Sequence, residues 1–393
     1  MRKSLLILMG MVILLLGLSI PIMQCAPAAE EEVGAYEKYV ASLPEGCFPV
    51  PRECFEQAVE EGQVNIYNWA EWFPQEIYDN FSQEFGIKVV LDYFGDYDEM
   101  LAKFKLNPET PYDVVIPGTR AMAQLIEMDI WQELNHDWLP NVTAYQTEEH
   151  QSVWVEQWQP EGYFKYGVPF DVMFTAYAYN SKYVDDPRIP SWGVILEPNE
   201  KYWGKISMMN GMFDTIGAAL AYLGYEFNSD NEEELMQARD ILLKQKPALA
   251  AYEDSPRRLM LEEETWISQA WTGDAWWFHL DNSALRCALP TEGTRVATDG
   301  YAIPIGAEHT AAAHLFINYM MRPNVAGALM ESIGAAAVHT EAAQYASEEL
   351  RNWPGMSYPE GYLDRCQVIQ PKAYSIGSPG EQLRSQIWEE LKT

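Results

Sequence analysis

The stretch Val64-Asn65-Ile66-Tyr67-Asn68-Trp69-Ala70-Glu71-Trp72-Phe73-Pro74, read on to Met128, decides the fold. Residues 64–67 form a short strand. Pro74 then opens a helix in which Ile77, Tyr78, Phe81 and Phe85 recur at helical spacing, and Gly86 stops it. Residues 87–93 alternate as a second strand, 97–105 are helical, and 112–117 make a buried strand. Residues 119–128 are a helix that Thr119 is placed to cap. This β-α-β-α-β-α order predicts an α/β fold with a mostly parallel sheet covered by helices. Ligands on such sheets gather where strands end and helices begin, which here means residues 68–74 and 118–120.

Beyond this unit, residues 167–180 read as an aromatic strand pair, and the Pro-, Gly- and Trp-rich stretch 192–205 leads into a second unit. There, 206–209 is a strand, 215–223 a helix ended by Gly224, 232–246 a charged amphipathic helix and 266–271 another strand-like run. Residues 301–304 form a strand closed by Pro304, and 311–321 and 325–333 are helices on either side of Arg322-Pro323. Two α/β lobes with a cleft between them are expected. The division places 63–168 plus 300–340 in one lobe and 169–299 plus 341–393 in the other. A spacer and Cys-bearing segment, 25–62, precedes both.

Composition narrows the function. The chain has 26 Lys+Arg against 58 Asp+Glu, a net charge of −32, and holds 14 Trp, 23 Tyr and 14 Phe. Such an aromatic content excludes a disordered chain, and the acidic surface repels nucleic acid and anionic lipid. Cationic small molecules remain permitted.

The N-terminus places the body outside the cytoplasm. Arg2 and Lys3 precede an apolar run over 5–23, followed by Cys25 and the loose stretch 26–32, the pattern of an export signal over residues 1–24. Ile22-Met23-Gln24-Cys25 resembles the lipobox of bacterial lipoproteins, which makes Cys25 the candidate lipidated residue, although Gln24 is larger than the usual residue before that Cys. Cleavage near Ala28 and an uncleaved anchor are the alternatives. Loss of residues 1–24 takes the net charge from −32 to −34. Cys47 and Cys54 then form one candidate disulfide and Cys287 and Cys366 a second; free buried thiols are the other reading. The chain lacks C-x-x-C and paired helical His, so no metal and no cofactor is expected.

Aromatic and acidic residues coincide at three turns: Trp69-Ala70-Glu71-Trp72, Trp271-Thr272-Gly273-Asp274 and Asp299-Gly300-Tyr301. An organic ammonium needs a carboxylate for charge-assisted hydrogen bonds and an aromatic face for its methylenes. From residue 64 to the C-terminus the chain resembles the extracytoplasmic solute-binding proteins of ABC importers, in particular the spermidine/putrescine-binding group. The resemblance rests on Tyr67-Asn68-Trp69-Ala70-Glu71-Trp72, Tyr112-Asp113-Val114-Val115-Ile116-Pro117, Leu220-Ala221-Tyr222-Leu223-Gly224-Tyr225, Trp271-Thr272-Gly273-Asp274, Asp299-Gly300-Tyr301-Ala302-Ile303-Pro304 and Phe316-Ile317-Asn318-Tyr319-Met320-Met321-Arg322-Pro323. It implies the two-lobed periplasmic-binding-protein fold of type II.

It also implies that Trp69 and Trp271 sandwich the methylenes, that Asp274 and Asp299 take ammonium groups, and that Asp214 helps hold an amine. Glu71 and Trp72 line the cleft in the same reading, with Trp72 replacing the usual Tyr, and Thr119, at the junction 118–120, is a further ligand-binding candidate. The departures are Ala70 and Gly118 in place of hydroxyl residues, Ala297 and Ala335 in place of aromatics, and Arg120 in place of a small polar or aromatic residue. Each loss is expected to enlarge the pocket or remove a hydrogen bond. Arg120 either pairs with Glu71 or faces solvent, leaving an amine site intact, or it binds a carboxylate and makes the ligand zwitterionic.

The implied function is capture of an amine-bearing solute by closure of two lobes and delivery to a membrane permease, with no reaction catalysed. The rivals are an exported hydrolase using paired carboxylates among Asp214, Asp274 and Asp299, and an iron carrier, for which no Tyr-Tyr pair exists.

Overall fold

The computed structural model describes residues 33–70, 72–95, 97–146, 163–368 and 378–393. The expected signal at 1–24, Cys25 and Glu71 lie outside the described residues, as does the side chain of Arg120.

Two sheets organise the chain. In the first, β1 (Gln63–Trp69) pairs in parallel with β2 (Lys88–Phe94) and β3 (Val114–Val115); β4 (Gly167–Pro169) and β11 (Gly300–Ala302) complete it in the order β2-β1-β3-β11-β4, β11 running antiparallel to both neighbours. The helix Gln75–Phe85 forms as its periodicity predicts. Pro74 sets the entry, Ile77, Tyr78, Phe81 and Phe85 are buried on one face, and Gly86 ends it at φ 69° with its N–H donating to the Ser82 carbonyl at 2.9 Å. Burying each of those side chains contributes about 1.5–3 kcal/mol. Thr119 does not cap the next helix, Thr119–Glu127. Gly118 is the N-cap, and the Thr119 hydroxyl instead donates to the Thr298 carbonyl at 3.1 Å.

The second sheet is built on β5 (Asp171–Asn180), with β6 (Ile206–Met208), β7 (Leu249–Tyr252), β8 (Ile267–Trp271), β9 (Leu285–Ala288), β10 (Arg295–Ala297), β12 (Ala336–Ala337) and β13 (Gln367–Val368). The aromatic run 167–180 is therefore two strands that part at Phe170 and enter different sheets, not a pair with each other. The chain crosses between sheets at Phe170, at Thr298-Asp299 and again before Ala336. These crossings are tied together: the Phe170 N–H donates to the Asp299 carbonyl at 3.0 Å, and the Val338 N–H donates to the Phe170 carbonyl at 3.0 Å.

The N-terminal helices Ala35–Ser42 and Arg52–Glu61 belong to the first core. Tyr39 stacks on Phe55 with centroids 4.8 Å apart and meets Phe85 edge-on at 5.5 Å. Glu61 accepts the N–H groups of Ala311 and Ala312 at 3.3 and 2.8 Å, placing a negative charge at the positive end of the helix Thr310–Met320. The expected disulfides are not formed, and Cys47, Cys54, Cys287 and Cys366 are free. Cys54 is buried with its Sγ 3.7 Å from the Ala311 carbonyl, whereas Cys47 lies 3.8 Å from Asn324 Oδ1, so packing draws the two sulfurs to different partners. Among the described residues no helix is long and apolar enough to cross a membrane.

Candidate functional site

The end of β1 presents Trp69. The turn behind it is held by Asn68, whose Nδ2 donates to the Tyr78 hydroxyl at 2.9 Å while its Oδ1 accepts the Trp69 N–H at 2.8 Å. The half-buried indole packs on Phe94 with centroids 4.5 Å apart and edge-on against Tyr97 at 4.7 Å. Trp72, also half-buried, leans on Phe170 at 5.6 Å, so the aromatic wall continues onto the segment that crosses between sheets.

Tyr97 explains Gly118. A Cβ at Gly118 would fall 1.8 Å from the Tyr97 hydroxyl and 2.7 Å from Asp299 Oδ1. Tyr97 occupies that space and donates to Asp299 Oδ1 at 3.2 Å. The expected enlargement at Gly118 is thus corrected: the missing side-chain hydroxyl is supplied from a different helix, and the volume is filled. Gly118→Ala is expected to cost about 1–3 kcal/mol in denaturant unfolding, as overpacking does. Adding Tyr97→Phe is expected to restore part of that loss, because it removes the atom the new methyl meets. Equal stabilities for Gly118→Ala and the parent would sink this account.

Asp299 sits at the crossing between β10 and β11 and is 8% exposed. Desolvation pushes its carboxyl up to about 7, against the opposing effects of the Tyr97 hydroxyl, the Arg295 charge and the Trp69 side chain. Its neighbour Asp171 is 1% exposed and accepts the Asp299 N–H on Oδ1 at 2.7 Å. Burial, and then the Asp299 charge, push Asp171 well above the usual carboxylate range.

On the second lobe, Asp214 lies in the first turn of the helix Met212–Tyr222 and is buried. Arg295 Nη1 donates to both of its carboxylate oxygens at 3.0 Å, and the Thr175 hydroxyl donates to Oδ1 at 2.9 Å. The Arg295 guanidinium carbon lies 5.0 Å from the centre of the Trp271 ring. Asp214 is therefore engaged from within the protein, and the face of Trp271 already carries a cation. Asp274, half-buried in the first turn of the helix Thr272–Asp281, is raised by desolvation and held back by the Trp271 backbone. Gly273 lets this helix start close to the third crossing, since a Cβ there would meet the Ile333 carbonyl at 2.4 Å.

The structure thus brings together Trp69, Tyr97 and Asp299 in one cluster and Trp271, Arg295, Asp214 and Thr175 in another. The two clusters are coupled, since the Arg295 charge opposes the rise of the Asp299 carboxyl. Trp72 and Thr119 flank the crossing. Sequence reading missed Arg295, Tyr97 and Asp171. Arg295, Ala297 and Asp299 are spaced at the period of a strand face, a signal that was present. Asp171 stands alone in the apolar run Val168-Pro169-Phe170-Asp171-Val172-Met173-Phe174, which also marks it. Nothing local announces Tyr97. Among the described residues no group of three or more His, Cys, Asp or Glu is placed to hold a metal ion.

Comparison with known proteins agrees with this architecture. A family model described as bacterial extracellular solute-binding protein matches residues 76–357. The spermidine/putrescine-binding periplasmic protein of Salmonella typhimurium is 28% identical over 304 residues, covering 77% of this chain and 85% of that protein. The putrescine-binding periplasmic protein SpuD of Pseudomonas aeruginosa is 25% identical over 356 residues, covering 86% and 94%. Among solved structures, the spermidine/putrescine ABC transporter substrate-binding protein PotD of Streptococcus pneumoniae superposes with a TM-score of 0.73 at 23% identity, over 84% of this chain and 98% of that one. The fold is accordingly that of the two-lobed periplasmic binding proteins. With the family model covering most of the chain and both lobes in place, this chain belongs to the bacterial extracellular solute-binding proteins.

Proposed function

We propose that the protein captures a small amine-bearing solute outside the cytoplasm and hands it to an ABC permease, held at the membrane by a lipid on Cys25. The observation that carries this reading is Asp299. A carboxyl at the crossing between the lobes, oriented by the Tyr97 hydroxyl beside the Trp69 ring, is the chemistry that receives an ammonium. The names of the relatives, which specify spermidine and putrescine, support the same class. No reaction is part of this reading. Asp214, bound to Arg295, is not available as a general acid or base, which weighs against paired-carboxylate hydrolysis.

A second, narrower reading follows from Arg295. In a diamine site the far ammonium needs a carboxylate of its own, and here Asp214 already holds a guanidinium. The preferred solute then carries one ammonium and a far end that is neutral or anionic. Titration calorimetry with butylamine, 4-aminobutyrate, putrescine, spermidine and ferric citrate tests both readings. Butylamine or 4-aminobutyrate binding within about tenfold of putrescine supports the narrower one. Putrescine or spermidine binding more than about a hundredfold tighter than butylamine overturns it and leaves a polyamine carrier. Binding of none of the amines overturns capture at Asp299 altogether.

A further inference from the structure

Beside the crossing at Phe170, a small cavity of about 10 Å³ lies against β11 and the helices Thr310–Met320 and Pro323–Ile333. Its wall includes Phe170 and Asp171 from the first crossing, Tyr301 from β11, Ala335 and Ala337 from the third, and His339. Two polar atoms in this wall are buried and, among the described residues, without a hydrogen-bond partner: Asp171 Oδ2 and the Tyr301 hydroxyl, on residues 1% and 0% exposed. Such a volume is close to what one water molecule needs, and a buried water settles where it finds polar atoms that nothing else satisfies. A buried carboxylate with one oxygen left without a hydrogen bond is costly, whereas a carboxylic acid that donates to a water is not.

We propose that this cavity is a hydrated proton site, in which one water bridges Asp171 and the Tyr301 hydroxyl and Asp171 remains a neutral acid, leaving Asp299 as the member of the pair that ionises toward the solute. Asp171 is then a positioning residue. Its Oδ1 fixes the Asp299 backbone at 2.7 Å, and its proton spares Asp299 a second negative charge at the crossing. Burial and the Asp299 charge, which both raise Asp171, act in the same direction.

Among the described residues, these titratable and charged groups face the pair. Tyr97 and Arg295 act on Asp299, and Tyr78 and Asp171 act on Tyr301. His339 is engaged at both nitrogens: Nδ1 accepts the Glu341 N–H at 3.0 Å and Nε2 donates to the Met321 carbonyl at 3.2 Å. The amide of Asn reproduces the shape and neutrality of the protonated acid, so Asp171→Asn keeps the bond to the Asp299 N–H.

The sign of the pH effect follows from linkage. A carboxyl raised in the folded state contributes stability present below its unfolded value near 4, and this is lost as pH rises toward the folded value. Denaturant unfolding of the ligand-free protein from pH 5 to 8 is therefore expected to show the parent losing about tenfold per pH unit in its folding equilibrium relative to Asp171→Asn. A difference that stays constant over that range overturns the proposal. Infrared spectroscopy provides a second measurement should Asp171→Asn not fold. At pH 8.5 the parent is expected to keep a protonated-carboxyl band that Tyr301→Phe shifts by removing the water's other anchor; absence of the band, or a band unmoved by Tyr301→Phe, overturns the proposal. Both measurements are made without solute, so their failure is distinct from a failure of amine capture. With butylamine as probe, Asp171→Asn is expected to bind within about threefold of the parent at pH 8, and a hundredfold loss would show that Asp171 acts as a charge rather than as a neutral support.

Discussion

Asp299→Asn is expected to weaken capture of butylamine or putrescine at pH 8 by about thirtyfold to several thousandfold, the loss of roughly 2–5 kcal/mol that follows removal of one member of a buried charge pair. Asn keeps an oxygen for the Tyr97 hydroxyl to donate to, so the loss reports charge rather than collapse of the wall. The pH dependence follows from desolvation. With its carboxyl pushed up to about 7, Asp299 must give up a proton to hold an ammonium, so affinity in the parent is expected to rise between pH 5.5 and 8, by up to about tenfold per unit below the midpoint, and to be nearly flat in Asp299→Asn. Stability runs the other way. A carboxyl raised from 3.8 to about 7 in the folded state contributes stability present below the unfolded value and lost through the window between the two. At full desolvation this is worth roughly 4 kcal/mol. The solute-free parent is therefore expected to lose stability relative to Asp299→Asn from pH 4 to 7. Calorimetry at pH 5.5 and 8 checks the first part, and equal amine affinity at both values would rule it out.

Arg295→Met is the second large effect. Met retains bulk and a polarizable contact with Trp271 but leaves Asp214 buried with only the Thr175 hydroxyl among its charge-satisfying contacts described above. Removing one partner of a buried ion pair costs about 3–5 kcal/mol, and a loss of that size is expected in denaturant unfolding. The same variant frees a carboxylate for a second ammonium. Putrescine is expected to stabilise Arg295→Met more than it stabilises the parent, and at a hundred times its Kd it contributes about 2.7 kcal/mol to the folded state. Butylamine, with one ammonium, is expected to lack this extra effect. A loss under about 1 kcal/mol, with no preference for the diamine, would show that the guanidinium does not hold Asp214 in solution.

The first lobe was legible because its determinants are local. Pro74, the spacing of Ile77, Tyr78, Phe81 and Phe85, and Gly86 each act within one helix, and the resulting helix is bounded as read. The run 167–180 reads as one strand pair because two strands joined by a single residue look continuous in sequence, while hydrogen bonds across the crossing send them to different sheets. Thr119 had the right chemistry for a cap and lost the role to Gly118, since a carbonyl 179 residues away accepts its hydroxyl. Cys47 and Cys54 are close in sequence yet their thiols face Asn324 and the Ala311 carbonyl, partners on helices that only folding brings near.

The residues alone specify an acidic, aromatic-rich α/β chain with Trp69, Trp271 and Asp299 at strand ends, the positions where such sheets present side chains. Strand and helix periodicity and charge are properties of short segments, so they survive without the rest of the chain. Which carboxylates are already held by other side chains depends on the tertiary fold. Asp214 is joined to Arg295 across 81 residues, Asp299 is oriented by Tyr97 across 202, and Asp171 is buried against a cavity that Tyr301 and Ala335 also line. Desolvation and ion pairing depend on neighbours in space, and these neighbours meet only when both sheets have formed.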